Sequence, residues 1–340
     1  MADIPVAFEK NIIQLLAILP PRSRGVVKKR YGFGMPRALT LEAIGKKEGI
    51  TRERVRQIEN DAIAKLRKSK LLAEFKDVEN ILIDLVRGHG GLVSEDTLLT
   101  MPEVRAVKDK KNLIFFLDLI ESLRRVKEDE IFYARWQTLD APREKIESAL
   151  RSLADELERS SGSITEDDLK ERLENHLRKE GVPEIHLSYL SLAKHLAKNV
   201  WGEYGHISSP FIRPRGMREG AYVALARSKK PLHFREIAEK IREFTSRNVH
   251  VQTVHNELIK DARFVLVGRG LYALKEWGYE PGFIKDVLVR ILKERGSLNK
   301  DQILEEMQRR RQVKPATVLI NLQNKKLFKA ADDGTYTLVS

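Results

Sequence analysis

The chain has 340 residues, of which 42% are hydrophobic and 33% charged, a globular balance with room for two or more domains. It has no cysteine, no run of about eighteen apolar residues and no charged-then-apolar leader pattern, which excludes disulfides, thiolate metal sites, a cysteine nucleophile and a membrane-spanning helix, and leaves a cytoplasmic protein as the expectation. The net charge of +13 is uneven, because residues 1–77 hold 17 Lys/Arg against 9 Asp/Glu, a net of +8, and such a concentration suits a polyanionic partner.

In chain order, residues 8–19 (FEKNIIQLLAIL) have the spacing of an amphipathic helix, ended by Pro20-Pro21. A second helix runs from Arg22 to Tyr31 and carries Arg22, Arg24, Lys28, Lys29 and Arg30; Gly32, Gly34 and Pro36 form the loop after it. Residues 40–67 then read as two helices joined by a tight turn. Thr40 and Thr51 stand at the capping positions, with Glu42 and Glu53 in the first turns, where the helix dipole favours them. Gly49 supplies the left-handed helix end, Gly45 allows close crossing, and Ile44, Ile50, Val55 and Ile58 point inward. This spacing predicts a helix-turn-helix, whose second helix can enter a DNA major groove. Arg52, Glu53, Arg54, Arg56 and Gln57 lie on the outer face of that helix, and Arg, Gln and Glu are suited to guanine, adenine and cytosine edges. A solvated face in a helical bundle is the alternative.

The segments LPPRSRGVVKKRYGFG and TLEAIGKKEGITRERVRQIENDAIAKLR closely resemble region 4 of the primary bacterial sigma factors, over residues 8–70 or so. The resemblance implies binding to a −35 promoter element in double-stranded DNA and docking on the β flap of RNA polymerase core. It places Arg52, Glu53 and Gln57 at base edges, and Arg22, Arg30, Thr40, Leu41, Arg54 and Arg56 near phosphates. It also implies that the first helices form a concave apolar surface for the flap, which would make Leu15, Leu16 and Ile18 partner-facing; burial in the protein's own core is the other expectation. The sequence departs from the family at Asp61 and Ala64, where basic residues are common, and no stretch resembles sigma region 2, so a complete sigma factor is not expected.

After Lys70, four segments repeat one theme of helices followed by an apolar, alternating stretch, as in a winged helix. The expected organisation is a region 4-like domain at 1–77 and winged-helix-like units at 78–140, 141–217, 218–278 and 279–340, a mainly α fold with short β-hairpins. In the second unit HLSYLSLAKHLAKN is expected to be the third helix and VWGEYGHISSPFIRPRG the wing, which makes Lys194, Lys198, Arg213 and Arg215 a possible second DNA contact. The stretch 166–180 (EDDLKERLENHLRKE) reads as a solvated helix face with i, i+4 ion pairs. Turns are expected at Gly268-Arg269-Gly270 and Asp332-Asp333-Gly334. PLHFREIAEKI with VHNELIKDARFVLVGRGLYALKEW resembles the HARE-HTH domain, a winged helix found in the RNA polymerase delta subunit and beside restriction and chromatin proteins.

Catalytic patterns are missing. There is no P-loop and no supported dinucleotide fingerprint; the histidines are scattered without carboxylates at ligand spacing, and Asp167-Asp168 and Glu305-Glu306 lie on polar helices. The expectation is a non-enzymatic transcription factor without cofactor or metal, not membrane-associated, and monomeric for lack of coiled-coil heptads. The alternatives are a delta-like accessory protein bound to polymerase and the specificity subunit of a nuclease or defence system.

Overall fold

Apolar residues recur at three- and four-residue spacing almost throughout, and the chain folds accordingly as an array of short helices with small antiparallel sheets. The computed structural model describes residues 4–5, 8–280, 282–310, 313–331 and 333–339. It forms two units, Met1–Ser160 with Ile164–Ala197, and Ser161–Ser163 with Lys198–Ser340.

The first unit opens with α1 (Phe8–Ala17), α2 (Pro21–Tyr31), α3 (Leu41–Glu48) and α4 (Arg52–Arg67). Proline at the first position of α2 lacks only an N–H that would have had no helical partner. A 3-10 turn, Lys70–Phe75, leads into α5 (Lys76–Arg87), β1 (Leu92–Ser94), α6 (Glu95–Thr100), α7 (Lys110–Leu119), β2 (Leu123–Val126) and β3 (Arg135–Thr138). The strand order β1-β3-β2, with Trp136 opposite both Val93 and Arg125, makes this segment a winged helix. Its core is not its own. One cluster runs from Ile4, Phe8, Ile12, Leu15 and Leu16 through Ala62 and Leu66 of α4 to Phe115, Phe116 and Trp136. The Phe116 ring stands edge-on to Phe8 at 5.4 Å and tilted on Phe75 at 5.1 Å.

The first unit ends with α8 (Arg143–Ser160) and α9 (Glu166–Lys179), and the division between units falls in β4 (Leu196–Lys198). α9 buries Leu169, Leu173 and Leu177 and keeps its charges outside, with Lys170 paired to Glu166 at 3.2 Å one turn away. The buried Arg135 guanidinium binds Glu147 of α8 at 2.7 Å and Asp129 at 3.1 Å, so the wing is tied to the next helix by an ion pair whose charges are also hydrogen-bonded.

One expected helix does not form. Residues 186–199 are a short 3-10 turn, Leu187–Leu192, followed by extended chain. Tyr189 and Leu192 are buried three apart, which suits a 3-10 turn. Beyond it the backbone pairs with the preceding wing: Tyr133 N–H donates to the Leu192 carbonyl at 2.9 Å and Lys194 N–H to that of Ile131 at 2.8 Å. These bonds draw 192–194 away from a helix. The wing expected after it is reduced to β5 (Tyr204–His206), because Pro210 and Pro214 cannot donate to a ladder.

The second unit contains two winged helices. One has α10 (Met217–Ser228), β6 (Leu232–His233), α11 (Phe234–Phe244), α12 (Val251–Lys260), β7 (Phe264–Leu266) and β8 (Leu271–Leu274), with strand order β6-β8-β7. The other has α13 (Ile284–Arg295), β9 (Leu298–Asn299), α14 (Lys300–Arg310), α15 (Pro315–Leu322), β10 (Phe328–Ala330) and β11 (Thr335–Leu338), with order β10-β11-β9. Gly268-Arg269-Gly270 joins β7 to β8, and Asp333-Gly334 precedes β11; Asp332 lies outside the described residues. Each has a separate core, around Ile237, Val254 and Leu274 in one and Leu288, Ile303 and Phe328 in the other.

Candidate nucleic-acid interface

The site is built on α3, its turn and α4. The Thr40 hydroxyl accepts from Ala43 N–H at 3.1 Å and the Thr51 hydroxyl from Arg54 N–H at 3.2 Å, so both helices start at the threonines. Gly49 ends α3 at φ +66°, a conformation costly for residues with a Cβ. A Cβ on Gly45 would stand 2.7 Å from the Ile50 carbonyl, so close crossing requires glycine there. Val26, Ile44, Val55 and Ile58 are buried beneath the turn, with Leu39, Leu41 and Ile50 packed against them.

This small core turns the other face of α4 outward. Arg52, Glu53, Arg54, Arg56 and Gln57 are all exposed. They are also ordered by one another. Arg56 grips both oxygens of Glu53 at 2.9 and 2.6 Å and holds its carboxyl below the ordinary glutamate range, while Arg54 donates to the Gln57 side-chain oxygen at 3.0 Å. Glu53 therefore presents to a polyanion with its charge already balanced.

The flanking residues separate into two groups. Arg22 and Thr40 are exposed at the starts of α2 and α3, and Leu41 is half-buried beside Thr40. Arg30 is turned into the fold, with its Nε donating to Glu59 at 3.1 Å and its Nη1 to the Leu39 carbonyl at 3.3 Å, which braces α2 against α4. Lys29 pairs with Glu48 in the same way and lowers that carboxyl's pKa. Sequence reasoning passed over Arg37, Lys46 and Lys47, which are exposed around α3. The signal was available, because no acidic residue occurs between Glu9 and Glu42.

The back of this domain is covered by α7. Leu15 and Leu16 are buried in the shared core, and among the apolar residues of that helical segment Ile13 and Ile18 are exposed. Tyr31 stands edge-on to Phe115 at 5.0 Å, and its hydroxyl donates to Asp118 at 2.8 Å. Lys111 donates to the Gly32 and Met35 carbonyls at 3.1 and 2.6 Å, and Arg67 to those of Leu119 and Asp118 at 3.1 and 2.9 Å. Burial raises the pKa of both Tyr31 and Asp118, so the phenol stays protonated and remains the donor.

The possible second contact is not gathered onto one helix. Lys194, in the first unit, pairs with Glu128 and donates to the Asp129 carbonyl at 2.7 Å. In the second unit Lys198 lies over the Tyr204 ring at 4.9 Å, and Arg213 and Arg215 are exposed in the turns before α10. Among the described residues no group of three or more His, Asp or Glu side chains could hold a metal ion, and no helix is long and apolar enough to cross a membrane.

Two capped helices crossing at a glycine turn, with the second helix exposed at its N-terminal half, define a helix-turn-helix of the kind that reads DNA. Residues 15–68 match the family Sigma-70, region 4. The chain is 42% identical over 72 residues to RNA polymerase sigma factor SigA of Clostridium acetobutylicum, covering 20% of this chain and 19% of that protein. It is 46% identical over 59 residues to RNA polymerase principal sigma factor HrdD of Streptomyces coelicolor, covering 17% of this chain and 18% of that protein. The chain thus spans about a fifth of the length of these relatives.

Proposed function

We propose that this protein is a DNA-binding transcription factor that acts with RNA polymerase and reads a −35-like promoter element through α4. The observation that carries the reading is the exposed face of α4 on a region 4 segment, where Arg52, Glu53 and Gln57 stand clear of the core that orients them. In this reading those three meet base edges. Arg22, Arg54 and Arg56, with Thr40 and Leu41 at the start of α3, run along phosphates, and Arg30 contributes from behind by holding α2 on α4. The protein has no enzymatic role, needs no cofactor, and does not open promoters as a sole sigma factor.

RNA polymerase core is the protein partner in this reading. Leu15 and Leu16 are buried in the cluster they share with α7, so a β flap engages either the open side of the α1 segment, at Ile13 and Ile18, or a form in which α7 has withdrawn. A second reading, an accessory protein that works like the delta subunit, draws on the winged helix of α10 to β8 and its resemblance to HARE-HTH.

Fluorescence anisotropy on a duplex carrying TTGACA and on a scrambled duplex tests the proposal. A preference for TTGACA, lost on Arg52→Ala with Gln57→Ala, is the expected result. Equal, steeply salt-dependent binding to both duplexes would refute sequence readout and favour the accessory reading. Runoff transcription with core polymerase tests the remaining point, since promoter-specific initiation by this protein alone contradicts it.

A further inference from the structure

We propose that the last winged helix is a second, sequence-independent contact with duplex DNA, made by α15 and the lysines around it. A winged helix presents its third helix, and the three complete ones offer α7, α12 and α15. Leu113, Phe115, Phe116, Leu117 and Leu119 of α7 are buried in the shared core, so that helix has no free apolar face to offer. α12 carries Glu257 and runs into Asp261, both paired with Arg218, and its Gln252 amide donates to Asn256 at 3.2 Å. Arg218 there is already taken up by carboxylates, which leaves α12 less positive charge to offer a phosphate strand.

α15 differs in kind. It contains no charged residue, and residues 313–331 hold Lys314, Lys325, Lys326 and Lys329 without an aspartate or glutamate. All four lysines are exposed, and none forms an ion pair among those of the described residues. The contrast with the preceding helix is direct: Arg309 and Arg310 of α14 are neutralised by Glu280, Glu294, Glu305 and Glu306. Positive charge left unbalanced along this segment, with Lys325 and Lys329 lining one cleft, raises the local concentration of a polyanion. Between the lysines, Ala316 and Ile320 face solvent, the latter 64% exposed. An uncharged surface of this kind lets a duplex backbone approach without meeting a carboxylate.

The hairpin limits where the DNA can run. Asp333 at its tip accepts from Thr335 N–H and hydroxyl at 3.0 and 2.7 Å, and these bonds keep its carboxyl ionised below the usual range. The tip therefore repels phosphate. The contact follows α15 and the first strand of the hairpin, where a cleft of about 520 Å³ is lined by Gln323, Lys325, Lys329 and Tyr336. Lysine contacts to phosphate position a duplex and carry no sequence information, so this surface adds affinity without selectivity.

The test uses the full chain carrying Lys325→Ala, Lys326→Ala and Lys329→Ala together, on a scrambled duplex across a salt series. Each lost phosphate contact lowers the slope of log K against log salt by about 0.9, so the slope is expected to fall by roughly 2 to 3. The thermal midpoint should not move, because all three side chains are in solvent. An unchanged slope overturns the proposal. So does a variant that binds DNA normally but no longer retains RNA polymerase core, which would assign the face to protein. The Arg52→Ala, Gln57→Ala pair is run in parallel. Its loss of TTGACA preference reports on α4 alone, so this proposal and the α4 reading fail or stand separately.

Discussion

Replacing Phe116 by alanine tests whether the region 4 segment and the first winged helix are one cooperative body. The ring is 1% exposed and touches Phe8 of α1 and Phe75 before α5, so its removal empties a site bordered by both parts. Deleting a buried phenylalanine side chain costs about 3–5 kcal/mol, the lost transfer energy plus the cavity left behind. That is a large share of the roughly 5–15 kcal/mol that holds a typical domain folded. Native-state hydrogen exchange reads the consequence. Amides of α1 and of α7 should lose protection together and by the same free energy, because both helices close over one cluster. Phe116→Leu should lose about 1 kcal/mol, since most of the volume stays. Full protection of α1 in the alanine variant, with exchange confined to α7, would refute the shared core and restore Leu15 and Leu16 as a free surface.

Two further outcomes follow from the same geometry. Gly45→Ala places a Cβ 2.7 Å from the Ile50 carbonyl; the turn must open, and binding to TTGACA should fall at least tenfold while the helix content seen by circular dichroism barely changes. The two units should respond to pH with opposite sign. Burial raises the Asp118 pKa against the Tyr31 bond that lowers it, so its contribution is fully present below the ordinary aspartate value and is lost as pH rises through the raised one; Asp118→Asn should flatten that decline in α7 exchange. Glu203 is held at about 2, first by the Arg227 hydrogen bond and also by Asn199 and Ser163. Its contribution is present above the ordinary glutamate value and is lost as pH falls toward about 2, and Arg227→Met should remove that acid limb from the second unit.

What could be read in the sequence was local. Thr40, Gly49, Thr51 and the apolar spacing of Ile44, Val55 and Ile58 act on neighbours within a turn or two, and the helix-turn-helix follows from them. The exposed face of α4 is the complement of that spacing. What lay hidden depends on partners far along the chain. The periodicity of residues 8–19 says which side of α1 is buried but not that Phe116 buries it. Tyr31 and Asp118 are 87 residues apart. Arg30 and Lys194 read as free cations until Glu59 and Glu128 are placed beside them. The helix expected at 186–199 had reasonable periodicity and lost to backbone pairing with residues 131–133, a tertiary effect that spacing does not encode.

The arrangement of α4 joins these results. Its 16 residues span about 24 Å at 1.5 Å per residue. Its first half displays Arg52, Glu53 and Gln57, and its second half buries Ala62 and Leu66 in the cluster that contains Phe116. Arg67 at its end donates to the last carbonyls of α7, groups that a helix C-terminus leaves without helical partners. One helix thus has an exposed end, to which the reading of DNA is assigned in the proposed function, and an end docked in the core. A winged helix whose third helix faces inward gives up a groove-binding surface and in return fixes the base of α4. A partner that reaches Leu15 and Leu16 by displacing α7 also releases Arg67 and Tyr31 from Asp118. If the proposed polymerase docking proceeds by displacing α7, it is coupled through α7 to the promoter reading proposed for α4, and Phe116→Ala should change both together, whereas Arg52→Ala should change the second alone.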